Sequence, residues 1–205
     1  ISNRTTRIGD YAFASDSLEY VFFMGAAPDI SDTAFYHVTA CAMYPRGFAG
    51  WDTAADQNYG GNLSWDTHSV WVAGGVTDRG LDWTVYSGGN LNLNSADGYI
   101  EDFSPENPAP WQPYADWITS AHINQTNFVG AYTFAGLYNL KEVHYNGYIA
   151  SLGDGMFRDC TALTEVLIPD SVGSLGSGLF SGCADGLVVR FLGYPPALAA
   201  DTFAG

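Results

Sequence analysis

Four histidines, His37, His68, His122 and His144, are the side chains best suited to acid–base or metal chemistry in this sequence. No two of them are four residues apart, and none stands beside a carboxylate in a recognised metal or base motif. The sequence also lacks a G-x-S-x-G nucleophile elbow, an H-E-x-x-H motif and a phosphate-binding glycine loop. We therefore interpret the histidines as separate surface residues and expect neither an enzyme nor a catalytic residue.

Acidic residues are the second group with chemical potential, because two carboxylates across a cleft can hydrolyse a glycosidic bond. Most aspartates fall in turn segments, where this side chain caps or turns the backbone. These residues are Asp29, Asp32, Asp154, Asp159, Asp170 and Asp201. A carbohydrate-active enzyme is therefore a remote alternative.

Residues 90–97 place oxygen ligands at alternate positions, as calcium-binding loops do. The segment lacks the closing bidentate glutamate of such loops, and its Leu91 and Leu93 alternate as the buried side chains of a strand do. We therefore expect no metal and no cofactor in the protein.

Composition and charge exclude several classes of protein. The 205-residue chain has 22 acidic residues against 7 basic ones, a formal charge of −15, so no basic stripe is present to bind nucleic acid. Apolar residues make up 47% of the chain, which excludes disorder. No apolar run reaches the roughly 18 residues that a spanning helix needs, so we expect no membrane insertion within this sequence.

Because the chain starts at Ile1 and ends within a repeat, we also expect a fragment or a processed chain.

A repeat of 23 residues organises much of the sequence. It is marked by phenylalanines 23 residues apart at Phe134, Phe157, Phe180 and Phe203, and 22 apart at Phe13 and Phe35. An aliphatic residue lies five positions before each, at Ile8, Ile30, Val129, Leu152, Leu175 and Leu198, and four of these precede a glycine, at Gly9, Gly130, Gly153 and Gly176. We expect these glycines to supply tight turns. A unit this short cannot bury its own apolar face, but stacked copies share one core, as in a solenoid.

Strand alternation within the repeats predicts short parallel strands near residues 19–23, 142–146, 165–169 and 188–192. Tyr145 should point inward, whereas Glu142 and His144 should point to solvent. The residues predicted to be buried are Val143, Val166, Val189, Phe134, Phe157 and Phe180. The fold class is therefore a β-rich solenoid of about 23-residue repeats, with parallel strands and few helices.

Three cysteines, Cys41, Cys160 and Cys183, are an odd number without a C-x-x-C spacing, which argues against a disulfide framework and a structural zinc site. Cys160 and Cys183 occupy the same repeat position. A disulfide between adjacent rungs is geometrically conceivable, but we favour two small buried hydrophobic side chains in a stacked row.

Between residues 65 and 118 the repeat disappears. Trp83, Val85, Leu91 and Leu93 alternate around a Ser-Gly-Gly-Asn turn, which predicts a β-hairpin, and a proline-rich stretch follows it. We expect three segments: residues 1–66 as the end of one repeat array with a closing strand region, residues 67–117 as the hairpin and proline-rich connection, and residues 118–205 as a second array, truncated at its C-terminal end.

Two segments of the repeats, SLGDGMFRDCTALTEVLIPDSVGSLGSGLFSGC and RIGDYAFASDSLEYVFFMGAAPDISDTAF, resemble BspA-type leucine-rich repeats, whose units read roughly I-G-x-x-A-F-x-x-C-x-x-L-x-x-V-x-I-P. The stretch AMYPRGFAGWDTAADQNYGGNLSW is similar to the one that often closes such an array, and residues 84–123 to the hairpin that often precedes a new one. The resemblance implies a leucine-rich-repeat solenoid with an interposed hairpin, in a bacterial protein that is secreted or on the cell surface.

The resemblance implies adhesion, so the leading hypothesis is a non-enzymatic module that binds a host or matrix protein or a surface glycan. The candidate binding face is the outward strand row, which consists of Tyr20, Phe22, Glu142, His144, Glu165, Leu167, Val188 and Arg190. The alternative is a structural spacer in a larger surface protein. Fold analogy alone does not decide between the two.

Overall fold

The structure is a computed structural model that describes residues 1–15 and 17–203. The chain divides into two units, Ile1–Val70 and Trp71–Gly205. The last two residues of the predicted second array, 204 and 205, lie outside the described residues.

Within residues 1–15 and 17–70, the first unit contains five strands and one short helix: β1 (Arg7–Ile8), β2 (Tyr20–Phe22), β3 (Asp29–Ile30), β4 (Thr39–Pro45), α1 (Trp51–Ala54) and β5 (Asn62–His68). Strands β1 and β3 form one parallel pair, and β2, β4 and β5 form a parallel three-stranded sheet. Phe23, Phe35 and Trp51 are buried between these elements, and the Trp51 Nε1 donates a hydrogen bond to the Gly25 carbonyl oxygen at 2.9 Å. The closing strand region thus continues the parallel stack of the repeats.

As far as residue 203, the second unit contains twelve further strands and one 3₁₀ helix. They are β6 (Trp71–Val76), β7 (Leu81–Tyr86), β8 (Asn90–Ser95), β9 (Tyr99–Ile100), the 3₁₀ helix Gln112–Tyr114, β10 (Ser120–Asn124), β11 (Phe128–Val129), β12 (Glu142–Asn146), β13 (Ser151–Leu152), β14 (Glu165–Ile168), β15 (Ser174–Leu175), β16 (Val188–Phe191) and β17 (Ala197–Leu198).

Two rows of strands build the second unit, as a solenoid requires. The longer strands form a five-stranded sheet in the order β12-β10-β8-β7-β6 and a separate parallel pair β14-β16. The two-residue strands form a second sheet in the order β17-β15-β13-β11-β9. Because the pairing of the repeat strands is parallel, each rung lies directly on the one before it. The predicted β-rich solenoid is therefore confirmed, and all four predicted strands are present to within one residue at each end.

The predicted hairpin is also confirmed, and it joins the sheet of the second array. Strands β7 and β8 are antiparallel, with Val85 opposite Leu91 and Trp83 opposite Leu93. All four of these side chains are buried. Strand β8 then pairs in parallel with β10, so the hairpin covers the first rung of the array.

A column of phenylalanine rings runs along the core of the solenoid. Phe134 and Phe157 are fully buried and Phe180 is nearly so, as predicted. Centroid distances between successive rings are 5.8 Å, 5.6 Å and 5.7 Å, with Phe203 as the fourth ring. One ring in each rung therefore packs on the ring of the next, which makes the core a chain of nearest-neighbour contacts.

The expected burial of Val143 and Val189 is wrong, because both are only half-buried, whereas Val166 is buried. Strand β12 pairs with β10, and β14 pairs with β16, but no ladder joins β12 to β14 among the described residues. Val143 therefore lies on β12, where the ladder of longer strands is interrupted. Val189 lies on β16, whose one paired strand among the described residues is β14. Tyr145 points inward, also half-buried, and burial of its hydroxyl raises the Tyr145 pKa.

Cys160 and Cys183 are free thiols that occupy equivalent places on neighbouring rungs. Each Sγ lies 3.1 Å from the carbonyl oxygen of a phenylalanine in the preceding rung, Phe134 for Cys160 and Phe157 for Cys183. Cys160 is buried and Cys183 half-buried, and burial raises both thiol pKa values. The small apolar role that we favoured fits Cys160 fully, and burial makes its thiol a poor nucleophile.

Three of the four glycines of the aliphatic–glycine step are needed for a reason other than the predicted tight turns. Gly130, Gly153 and Gly176 do not have a positive φ. A Cβ would lie 2.2 Å from the Glu101 carbonyl oxygen at Gly130, and 2.5 Å from the Ala131 backbone nitrogen at Gly153. The backbone of the preceding rung therefore occupies the space that a side chain would need.

Candidate functional site

The outward side chains of β7, β8, β10 and β12 form one continuous polar surface, which we call the polar face. Alternation along each strand sends leucine, isoleucine and valine inward and polar side chains outward. The polar face consists of three rows across the strands: Thr84, Asn92, His122 and His144; Asp82, Asn94, Asn124 and Asn146; and Asn90, Ser120 and Glu142. Tyr86 follows Thr84 by two residues on β7 and therefore lies on the same side of the sheet. Residues within a row lie about 4.8 Å apart because that is the spacing of neighbouring strands.

The interpretation of the four histidines as separate residues is wrong for two of them, which stack on one another in the first row because their strands are paired in register. The rings of His122 and His144 are nearly parallel, with centroids 4.6 Å apart. His144 Nε2 also lies 3.2 Å from a Glu142 carboxylate oxygen. Burial, with the neighbouring His144 adding to it, lowers the pKa of His122, and Glu142 opposes this only in part. His122 is therefore neutral at pH 7 and can both donate and accept a hydrogen bond.

An asparagine row lies beside the histidines. Asn146 Nδ2 donates to Asn124 Oδ1 at 2.8 Å, and Asn124 Nδ2 donates to the Leu93 carbonyl oxygen at 3.3 Å. The side-chain amides of Asn92 and Asn94 are half-buried, and no side chain or backbone group within residues 1–15 and 17–203 hydrogen-bonds to them. The row therefore presents oriented amides that retain free donors and acceptors.

An exposed tryptophan borders the polar face. Trp71 on β6 pairs with Tyr86 on β7, so both rings lie on the outward side of the sheet. The Trp71 side chain is 64% exposed. Tyr86 also lines a shallow depression of about 720 Å³, together with Asp82, Thr84, Asn92, Asn94, Asn124, Gln125 and Asn146.

The eight residues of the candidate binding face are all exposed, and they lie on three separate sheets. Tyr20 and Phe22 lie on β2 of the first unit. Glu142 and His144 belong to the polar face, whereas the other four lie on β14 and β16, where Arg190 forms an ion pair with Glu165. The interruption between β12 and β14 separates these two groups.

Sequence reasoning did not identify most of the polar face. The signal was present, because Asn alternates with Leu in residues 90–94, and a His-x-Asn triplet occurs at 122–124 and again at 144–146. The first pattern resembles a calcium loop in part, but Asp97 accepts hydrogen bonds from Ser95 Oγ and the Tyr99 amide and so closes a local turn. Within the part of the chain that the structure describes, no cluster of three or more His, Cys, Asp or Glu residues could hold a metal ion.

Stability is expected to fall as the pH falls from about 6.5, because the folded-state pKa of His122 is lowered from that value. In this window the unfolded chain binds more protons than the folded one, so the free energy of unfolding rises with pH. Asn92, His144 and Glu142 are the groups that flank His122 in the sheet. Asp10 and Asp97, whose pKa values are also lowered, titrate below this window.

The measurement is urea unfolding at about pH 7.5 and about pH 5 for the parent and for His122→Gln. The glutamine variant should lose less stability between the two pH values than the parent does. Equal losses would contradict the role of His122.

A comparison with protein families agrees with this architecture. A family model described as "BspA type Leucine rich repeat region" matches six copies over residues 1–42 and 116–189, which is more than half of the chain. No curated protein matches the chain. None of the helices in the described residues is both long and apolar enough to cross a membrane.

Three solved structures of leucine-rich repeat proteins are similar to the chain. The protein from Bacteroides capillosus ATCC 29799 is 16% identical, with a TM-score of 0.38, over 60% of this chain and 100% of that one. The protein from Eubacterium ventriosum ATCC 27560 is 14% identical, with a TM-score of 0.40, over 66% and 45%. The T. pallidum leucine-rich repeat protein is 12% identical, with a TM-score of 0.36, over 58% and 61%. On the family match and its own repeat architecture, the chain belongs to the BspA-type leucine-rich repeat family.

Proposed function

We propose that this chain is a non-enzymatic binding module of a secreted or cell-surface protein, and that outward residues of its strands contact a protein or a glycan. The observation that carries the proposal is the exposure of large apolar side chains on these strands. Tyr20 and Phe22 in the first unit, and Leu167 and Val188 in the second, are between 44% and 59% exposed. In the β14–β16 pair, Leu167 lies opposite Arg190 and Val188 opposite Glu165. Apolar side chains next to charged ones are typical of a contact surface for another macromolecule.

The net charge of the chain limits which kinds of partner it can bind. A formal charge of −15 repels anionic surfaces and nucleic acid. Within each unit the stacked strands hold these side chains in a fixed geometry, so binding costs little ordering of the strands themselves. An adhesive role outside the cell fits a module of this kind, and partners with neutral or basic surfaces fit it best.

The test is an array of glycans and matrix proteins probed with the parent and with a fourfold variant, Phe22→Ser, His144→Ser, Leu167→Ser and Arg190→Ser. A control variant replaces four exposed apolar side chains elsewhere by serine: Tyr11, Phe128, Tyr194 and Leu198. The fourfold variant should lose binding with little change in melting temperature, whereas the control should bind as the parent does.

Two results would overturn the proposal. If the fourfold variant bound its partner as well as the parent did, these outward strand residues would not form the contact surface. If the parent bound nothing on the array, the module would be a spacer in a larger surface protein.

A further inference from the structure

We propose that the polar face, with Trp71 at its edge, binds an uncharged oligosaccharide that lies across the strands from β6 to β12. This inference rests on the proposed function, because it names the class of partner for one part of the outward surface. The ligand class follows from the hydrogen-bonding groups, the charge and the aromatic edge of the polar face.

The hydrogen-bonding groups of the polar face match those of sugar hydroxyls. A hydroxyl both donates and accepts, and the side chains that bind it best are amides and neutral imidazoles, which do the same. The amides of Asn92 and Asn94 have no partner among the described residues. Asn124 and Asn146 are already oriented by hydrogen bonds within the sheet. A ligand therefore meets a row of amides that is partly preorganised and partly free.

The charge and composition of the polar face favour an uncharged glycan over an anionic glycan or a protein. Strands β7, β8, β10 and β12 contain no lysine or arginine, and their acidic side chains are Asp82 and Glu142. A sulfated or carboxylated glycan would face these carboxylates without a cation to offset them. A protein partner would need apolar anchors near the centre of the contact, but the centre of the polar face consists of asparagine and histidine.

The aromatic edge supplies the apolar contact that sugar recognition needs. The C–H groups on one face of a sugar ring pack against an aromatic ring, and tryptophan offers the largest such surface. Trp71 is 64% exposed, and Tyr86 lies opposite it in the β6–β7 ladder. From β6 to β12 the sheet spans four strand spacings, roughly 19 Å. That distance accommodates a chain of several sugar units with one unit stacked on Trp71.

The experiment is isothermal titration calorimetry of the parent with neutral cello-, xylo-, manno- and galacto-oligosaccharides, and with heparin as the sulfated comparison. Trp71→Ala and Asn94→Ala test the polar face, and both sites are solvent-accessible, so the variants should fold. Phe128→Ala is the matched control, because this aromatic side chain is 45% exposed on β11, which belongs to the other sheet of the second unit. At least one neutral series should bind, Trp71→Ala should weaken it about tenfold or more, and Phe128→Ala should leave it unchanged.

Three results would overturn the inference, and they differ in what they mean for the proposed function. If only heparin or a protein bound, and the fourfold variant lost that binding, the inference would be wrong and the proposed function would stand. If a neutral oligosaccharide bound equally to Trp71→Ala and Asn94→Ala, its site would lie outside the polar face. If neither a glycan nor a protein bound, both proposals would fail.

Discussion

Phe157→Ala should lower the free energy of unfolding of the second unit by about 3–5 kcal/mol, which is the cost of a large cavity in a close-packed core. The Phe157 ring is fully buried between Phe134 and Phe180, and its centroid lies 5.8 Å and 5.6 Å from theirs. Each rung of a solenoid contacts only its neighbours, so the loss of stability should be concentrated in the rung of Phe157 and the rungs next to it. Urea unfolding followed by circular dichroism measures the change.

The matched control for this variant is Phe128→Ala, since Phe128 lies in the same unit on β11 and is 45% exposed. It should change stability by no more than about 0.5 kcal/mol, as surface substitutions usually do. Hydrogen exchange of the parent and Phe157→Ala would locate the loss, which should be greatest in β13 and β15. If the two substitutions lowered the free energy of unfolding equally, the column of phenylalanine rings would not be a main source of stability in the core.

Gly153→Ala should destabilise the second unit by about 1–3 kcal/mol or more, although the substitution adds only one methyl group. The new Cβ would lie 2.5 Å from both the Ala131 backbone nitrogen and the Gly130 carbonyl carbon. Backbone cannot rotate away as a flexible side chain can, so the two rungs would have to separate. Loss of rung contact should appear as a lower melting temperature and a lower midpoint of urea unfolding.

Gly9→Ala is a direct control, because Gly9 holds the same place in the first repeat and nothing lies within 4 Å of the position that a Cβ would take there. Neither glycine has a positive φ, so backbone strain does not distinguish them. Gly9→Ala should be neutral or slightly stabilising, because alanine restricts the unfolded chain more than glycine does. A destabilisation as large as that of Gly153→Ala would show that the clash between rungs is not the cause.

The amino-acid sequence by itself determined the repeat, the solenoid and the column of buried phenylalanines. The 23-residue spacing of Phe134, Phe157 and Phe180 predicts that these residues stack, because parallel rungs of equal length bring equivalent positions together. The hairpin was also predictable, since alternating apolar residues around a glycine turn are a local signal. These features depend on residue type and on spacing along the chain, and both can be read from one sequence.

Only the tertiary structure decided how the polar face is assembled, why the repeat glycines are required and where the sheet is interrupted. Asn94 and Asn124 are neighbours although they are 30 residues apart, because the hairpin strand β8 pairs with β10 outside the 23-residue period. The space beside Gly153 is set by the backbone of another rung, and Val143 is half-buried because β12 has no ladder to β14. Each of these features depends on the register and distance between strands that are far apart in the chain, which spacing within a single repeat does not specify.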